Sequence, residues 1–195
     1  MKPLLKFISA TNSSFLINAY PYKLYISNPE ISTRYTLFQN VRHYPMLGVQ
    51  YQNLFDVMVD AVIIAITKVG YKNIPVVVTE TGWPSDGDVN ERDANGVFAR
   101  MNNAGLVRHL RLGIGTPLRR EGAAETYIFE LFDDETKQGP ESDWHWGILN
   151  RNMTMKYGIG FPGLDRYSGA QLARMVLSAC LICLITVLMF VLLLW

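Results

Sequence analysis

Glu80 is the side chain in this sequence best placed to do chemistry. It follows the apolar run Ile74-Pro75-Val76-Val77-Val78-Thr79 and precedes Thr81-Gly82-Trp83-Pro84-Ser85. A carboxylate at the C-terminal end of a buried parallel strand points into the rim where barrel active sites lie. Burial beside Trp83 raises the cost of its charge, so partners must hold it. The Trp83 ring also suits sugar recognition, because a pyranose presents an apolar face. The competing reading is a strand-end carboxylate that caps the next turn. Two other apolar runs end in the same style. One finishes Asn18-Ala19-Tyr20-Pro21-Tyr22. The other finishes Glu130-Leu131-Phe132-Asp133-Asp134-Glu135-Thr136-Lys137, followed by Gln138-Gly139-Pro140-Glu141. All three thus carry aromatic, amide or acidic groups to one candidate rim.

Three elements must position these ends. The runs 15–20, 74–79 and 126–132 are apolar at successive positions, which fits parallel strands covered on both faces. Between the first two, residues 53–69 read as a helix. Asp56, Asp60 and Thr67 fall near one face of it and Gly70 serves as its C-cap. A less regular helix is expected over 93–110. The order strand, helix, strand, helix, strand predicts an α/β fold with a parallel sheet. A closed (β/α)₈ barrel needs eight strands, typically in about 250 residues, so residues 1–165 cannot form one.

Composition narrows the classes. The chain has 195 residues, with 18 Lys and Arg against 17 Asp and Glu, for a net charge of +1. That balance supplies no electrostatic reason to bind nucleic acid. With 49% hydrophobic and 18% charged residues, the chain is not of the disordered class. Both cysteines, Cys180 and Cys183, lie in the apolar tail, so the rest of the chain has no disulfide framework or thiolate metal site. The three histidines, at 43, 109 and 145, share no tight spacing. No metal and no cofactor are expected. The segment from Asp86 begins like a calcium loop, but Glu91 and Val97 stand where Gly and Glu are required, and it reads as a solvated loop. Arg100, Arg108, Arg111, Arg119 and Arg120 form a loose basic stretch that reads as a solvated helix face and loop.

Residues 176–195 are apolar and uncharged, long enough to span a bilayer. Small residues, Ser168-Gly169-Ala170, and a short polar spacer precede them. This is the pattern of a glycolipid-anchor signal; the other reading is a membrane helix retained in the chain. The expected organisation is therefore a folded part at 1–165, a spacer at 166–175 and a membrane or anchor segment at 176–195. The N-terminal residues 1–10 form only a broken apolar run, not a convincing signal peptide.

The blocks Phe15-Leu16-Ile17-Asn18-Ala19-Tyr20-Pro21-Tyr22 and Val76-Val77-Val78-Thr79-Glu80-Thr81-Gly82-Trp83-Pro84-Ser85 resemble plant glycoside hydrolase family 17, the β-1,3-glucanases. Residues 51–61, Gly115-Thr116-Pro117-Leu118-Arg119, the run 126–132 and Trp146-Gly147-Ile148-Leu149 extend the resemblance from about Leu4 to Phe161. It implies a partial TIM (β/α)₈ barrel, about the last three βα units, followed by a C-terminal hydrophobic helix. It further implies retaining endo-hydrolysis of β-1,3-glucan, with Glu80 as nucleophile. Asn18, Tyr20 and Tyr22 match strand-end residues of the sugar cleft, and Lys137 and Glu141 match polar residues that support the carboxylates. Asp134 stands where the family commonly has Glu, one methylene longer, and Asp133 and Trp144 where many members have Asn and a basic residue. The resemblance places the protein at the outer face of the plasma membrane or in the cell wall, attached through its tail.

A retaining glycosidase needs two carboxyl groups about 5–5.5 Å apart. In this family the acid/base is the Glu of an Asn-Glu pair on an earlier strand. The only such pair here is Asn90-Glu91, downstream of Glu80 in a loop. The expectation is therefore a chain that holds the nucleophile without its acid/base partner.

Overall fold

The computed structural model describes residues 1–39, 44–46 and 48–161. The expected spacer at 166–175, the apolar segment 176–195 and both cysteines lie outside the described residues. Helix α1 (Lys2–Ala10) leads into strand β1 (Phe15–Asn18), and short helices α2 (Pro21–Ile26) and α3 (Thr33–Thr36) follow. Strands β2 (Tyr44–Met46) and β3 (Val49–Tyr51) pair antiparallel. Then come α4 (Leu54–Lys68), β4 (Val76–Thr81), α5 (Gly96–Arg111), β5 (Thr126–Ile128) and a 3₁₀ turn at Glu141–Trp144.

Strands β1, β4 and β5 form a parallel sheet in that order. The expected βαβαβ series is present. The third strand is shorter than expected. The Phe129 N–H still donates to Thr81 O of β4 at 2.7 Å, and from Glu130 on the chain bonds instead with residues 146–149: the Glu130 N–H donates to Trp146 O at 3.1 Å, and the Leu149 N–H to Leu131 O at 2.9 Å. Backbone groups of Glu130 and Leu131 thus find their partners outside the sheet.

Both long helices begin on an asparagine cap. Asn53 Oδ1 accepts from the Asp56 N–H at 2.8 Å, and Asn95 Oδ1 from the Phe98 N–H at 2.9 Å, each satisfying a donor the first turn leaves open. Phe55, Val59, Ile63 and Ile66 of α4 pack with Val76 and Val78 of β4 and Leu106 of α5 in one core. The polar line of α4 is not a solvated face. Asp56 and Asp60 are both buried. Asp56 pairs with His109 Nε2 of α5 at 2.9 Å, and Asp60 accepts the Leu118 N–H at 3.1 Å.

Coverage of the sheet corrects a second expectation. Leu16 pairs with Val77, and Val78 with Thr126, so Leu16 and Tyr127 share the face away from the helices. They are 62% and 53% exposed. Among the described residues, helices cover one face of the sheet and the other is open.

Candidate active site

The end of β4 puts Glu80 beside the end of β1, where it is the register partner of Asn18. The Ala19 N–H donates to the Glu80 carbonyl at 2.8 Å, which locks the two strand ends together. On the side-chain level, the Tyr20 hydroxyl donates to Glu80 Oε2. Tyr20 is held in turn by its ring, edge-on to Trp146 with centroids 4.8 Å apart. Its phenol is pushed well above the usual tyrosine range, first by burial, then by its hydrogen bond to Glu80 and the fields of Glu80, Glu130 and Asp143. Three carboxylates from three segments therefore surround one hydroxyl.

Two ammonium groups balance them. Lys23 Nζ lies 3.0 Å from Asp143 Oδ1, and 5.3 Å from the centroid of the Tyr20 ring. Lys137 pairs with Glu130 Oε1 and sits 4.6 Å from the centroid of the Phe129 ring. Burial pushes the Glu130 carboxyl up, and Lys137 offsets this only in part. Gly82 permits the close packing behind the rim, since a Cβ there would lie 2.5 Å from Phe129 O.

The sequence-selected residues divide accordingly. Asn18, Tyr20 and Glu80 are brought together: Asn18 is exposed at the end of β1 and accepts from Thr79 Oγ1 at 2.8 Å. Lys137 joins them through Glu130. Trp83 does not face a ligand. It is fully buried, its Nε1–H donates to Asp93 O at 2.7 Å, and its ring packs edge-on to Tyr22 at 5.0 Å. Tyr22 is buried with it, and burial pushes its phenol up. These two rings form the floor beneath the rim, with no face left for a sugar. Asp134 turns into its own loop and accepts the Thr136 N–H at 3.0 Å; the bonds from Thr136 hold its carboxyl below the usual range. Glu141 is exposed at the start of the 3₁₀ turn, and that turn carries Asp143, not Glu141, to Tyr20.

Glu130, Asp143 and Lys23 were not selected from the sequence. Glu130 lay inside an apolar run and Lys23 one residue past the Tyr20-Pro21-Tyr22 block, so position offered a signal for both. Asp143 had none. Glu91 of the Asn90-Glu91 pair is committed elsewhere: it accepts the Ser142 N–H at 3.0 Å, the Ser142 hydroxyl at 2.5 Å and the Asp88 N–H at 3.1 Å. Below the rim, Asp133 anchors the loop, with Lys156 Nζ 2.6 Å from both its oxygens and His145 Nδ1 at 3.1 Å.

A parallel α/β sheet whose strand ends bring carboxylates, a hydroxyl and ammonium groups to one rim has the arrangement of a site in an α/β enzyme. Comparison with known proteins makes this specific. Residues 1–161 match glycosyl hydrolases family 17, and the chain belongs to that family. Glucan endo-1,3-beta-glucosidase 2 of Arabidopsis thaliana is 43% identical over 178 residues, covering 88% of this chain and 34% of its own length. Glucan endo-1,3-beta-glucosidase 3 of the same plant is 40% identical over 178 residues, covering 88% and 35%. Among solved structures, a beta-1,3-glucanase and allergen of Cryptomeria japonica pollen superimposes with a TM-score of 0.76 at 38% identity, over 80% of this chain and 48% of that one. A plant beta-glucan endohydrolase gives 0.73 at 37%, over 82% and 50%. The chain spans about a third of the length of these curated relatives and about half of the solved ones.

Proposed function

We propose that this chain carries the nucleophile half of a retaining endo-β-1,3-glucanase site, on a sheet that is an arc of a (β/α)₈ barrel. Glu80 attacks the anomeric carbon and Tyr20 orients its carboxylate. Asn18, at the exposed end of β1, offers its amide to sugar hydroxyls. The acid/base carboxyl comes from outside these 195 residues, since Glu91 is tied to Ser142. The observation that carries the reading is the Tyr20–Glu80 hydrogen bond across two strand ends. Membership of the family and the names of the relatives support the substrate class. Residues 176–195, after the spacer at 166–175, would attach the protein to a membrane, as an anchor signal or as a span, at the outer cell surface.

The test uses an activated sugar. In a 2-fluoro β-1,3-linked disaccharide with a dinitrophenolate leaving group, that group departs without protonation, so no acid/base is required. The Glu80 carboxylate forms a bond to C1 as dinitrophenolate leaves with the bonding electron pair. Mass mapping should find the glycosyl adduct on Glu80, and none in a Glu80→Gln variant. No adduct, or an adduct elsewhere, would overturn the assignment. A second reading, a rim that binds glucan without cleaving it, is favoured by the engagement of Glu91. Glucan retention without adduct formation would support that reading.

A further inference from the structure

The sequence holds two Asn-x-Ser/Thr segments, Asn12-Ser13-Ser14 and Asn152-Met153-Thr154. Each has the residue types of an acceptor for an N-linked glycan. Both asparagines are exposed, so access does not choose between them. Hydrogen bonding does. Asn152 Oδ1 accepts twice from Thr154, from its N–H at 3.1 Å and from its hydroxyl at 2.5 Å. Among the described residues, no acceptor takes the Asn152 Nδ2 protons. Asn12 lacks that arrangement. Ser13 Oγ lies 3.0 Å from Thr11 Oγ1, and neither Ser13 nor Ser14 bonds to the Asn12 side chain.

The turn fixes this geometry. The Met153 N–H donates to Asn150 O at 2.9 Å, and the Asn150 N–H to Thr154 O at 2.8 Å. Residues 151–153 are thus a three-residue hairpin loop, with Met153 in the left-handed position at φ 66°. Asn150 Nδ2 donates to Thr154 Oγ1 at 2.9 Å, which leaves the hydroxyl proton for Asn152 Oδ1. An amide nitrogen is a poor nucleophile, because its lone pair is delocalised onto the oxygen. Loss of an Nδ2 proton moves negative charge onto Oδ1, and two donors already aimed at that oxygen stabilise it. Arg151 Nη2 lies 3.2 Å from Glu135 Oε2, so the loop stands beside the segment that carries Lys137.

We propose that Asn152 is a modification site, the acceptor of an N-linked oligosaccharide. Asn152 Nδ2 forms a bond to C1 of an N-acetylglucosamine oligosaccharide carried on a lipid pyrophosphate. The C1–O bond breaks, the lipid pyrophosphate leaves with the bonding electron pair, and the Nδ2 proton passes to a base of the membrane transferase. In the cell this rests on the proposed outer-surface location; an introduced secretory signal makes the test independent of that location and of glucan cleavage. The full chain is expressed behind such a signal in plant cells and digested, and a peptide N-glycosidase is applied in heavy-oxygen water. Against a digest without the glycosidase, mass mapping should find heavy oxygen at Asn152 and none at Asn12. The mark should vanish in Asn152→Gln and Thr154→Val, and persist in Thr154→Ser, which keeps the hydroxyl. Asn12→Gln should change nothing. An unmarked Asn152 would overturn the proposal and leave the assignment of Glu80 standing. So would a mark that survives Thr154→Val, or equal or greater marking of Asn12.

Discussion

The Tyr20 hydroxyl at the end of β1 donates to the Glu80 carboxylate at the end of β4, across sixty residues of sequence. The contact exists because β1 and β4 are adjacent and parallel, with Asn18 opposite Glu80. It links the candidate nucleophile to the aromatic floor through the Tyr20 ring and Trp146. The geometry makes Tyr20 a reporter of the charge on Glu80.

That relationship gives a pH prediction. The Tyr20 phenol lies above its ordinary value of 10.0 through burial first and then through Glu80. A raised phenol stays neutral to higher pH. Glu80→Gln removes the negative charge and leaves the burial, so Tyr20 should ionise at lower pH than in the unaltered chain, yet still above free tyrosine. Phenolate absorbance read against a Tyr20→Phe control measures this; an unchanged titration would place Glu80 away from Tyr20.

Asp133 should govern acid stability. Burial alone would push its carboxyl up, but the bonds from Lys156 and His145 outweigh it and hold it below the ordinary 3.8. A depressed carboxyl stabilises the fold fully above its unfolded value, and that gain is lost as pH falls through the folded value. Asp133→Asn should therefore cost about 2–4 kcal/mol at neutral pH, because Lys156 loses its carboxylate and keeps only its bond to Ser85 Oγ. The gap between the two proteins should close below about pH 3.8. Urea unfolding at both pH values checks the direction.

Trp83 should matter for stability and not for sugar contact. Its ring is fully buried, and truncation of a buried tryptophan costs about 3–5 kcal/mol. Trp83→Phe should cost less, losing the bond to Asp93 O and part of the volume. If Trp83→Phe weakened glucan binding with unfolding unchanged, the ring would have to face the ligand after all.

Gly82 should be intolerant of a side chain. A Cβ 2.5 Å from Phe129 O forces the ends of β4 and β5 apart, at about 1–3 kcal/mol for overpacking. Because Glu80 and Glu130 ride on those ends, Gly82→Ala should also slow adduct formation at Glu80. Wild-type stability and labelling in that variant would show that the strands can separate freely.

Much of the fold was legible in the sequence. The apolar runs before Asn18 and Glu80 and the glycine after α4 carry local signals, because strand burial and helix capping depend on near neighbours. The rim residues Asn18, Tyr20 and Glu80 were legible for the same reason, as polar groups where apolar runs stop. The structure corrected what depends on distant partners. Asp56 and Asp60 read as two polar residues near one face and are buried, where His109 pairs with Asp56 and the Leu118 N–H donates to Asp60. Trp83 looked like a sugar platform and is floor, since Tyr22, Tyr25 and Phe98 close around it.

What the sequence determined by itself is the family, the parallel βαβαβ order and the carboxylate at the end of β4, all set by residue type and short spacing. Only the tertiary structure decided which charges meet. It put Glu130 with Lys137 and Asp143 with Lys23. A side chain's charge is written in its residue type, but its partner is chosen by where packing brings another chain segment, and no local pattern encodes that distance.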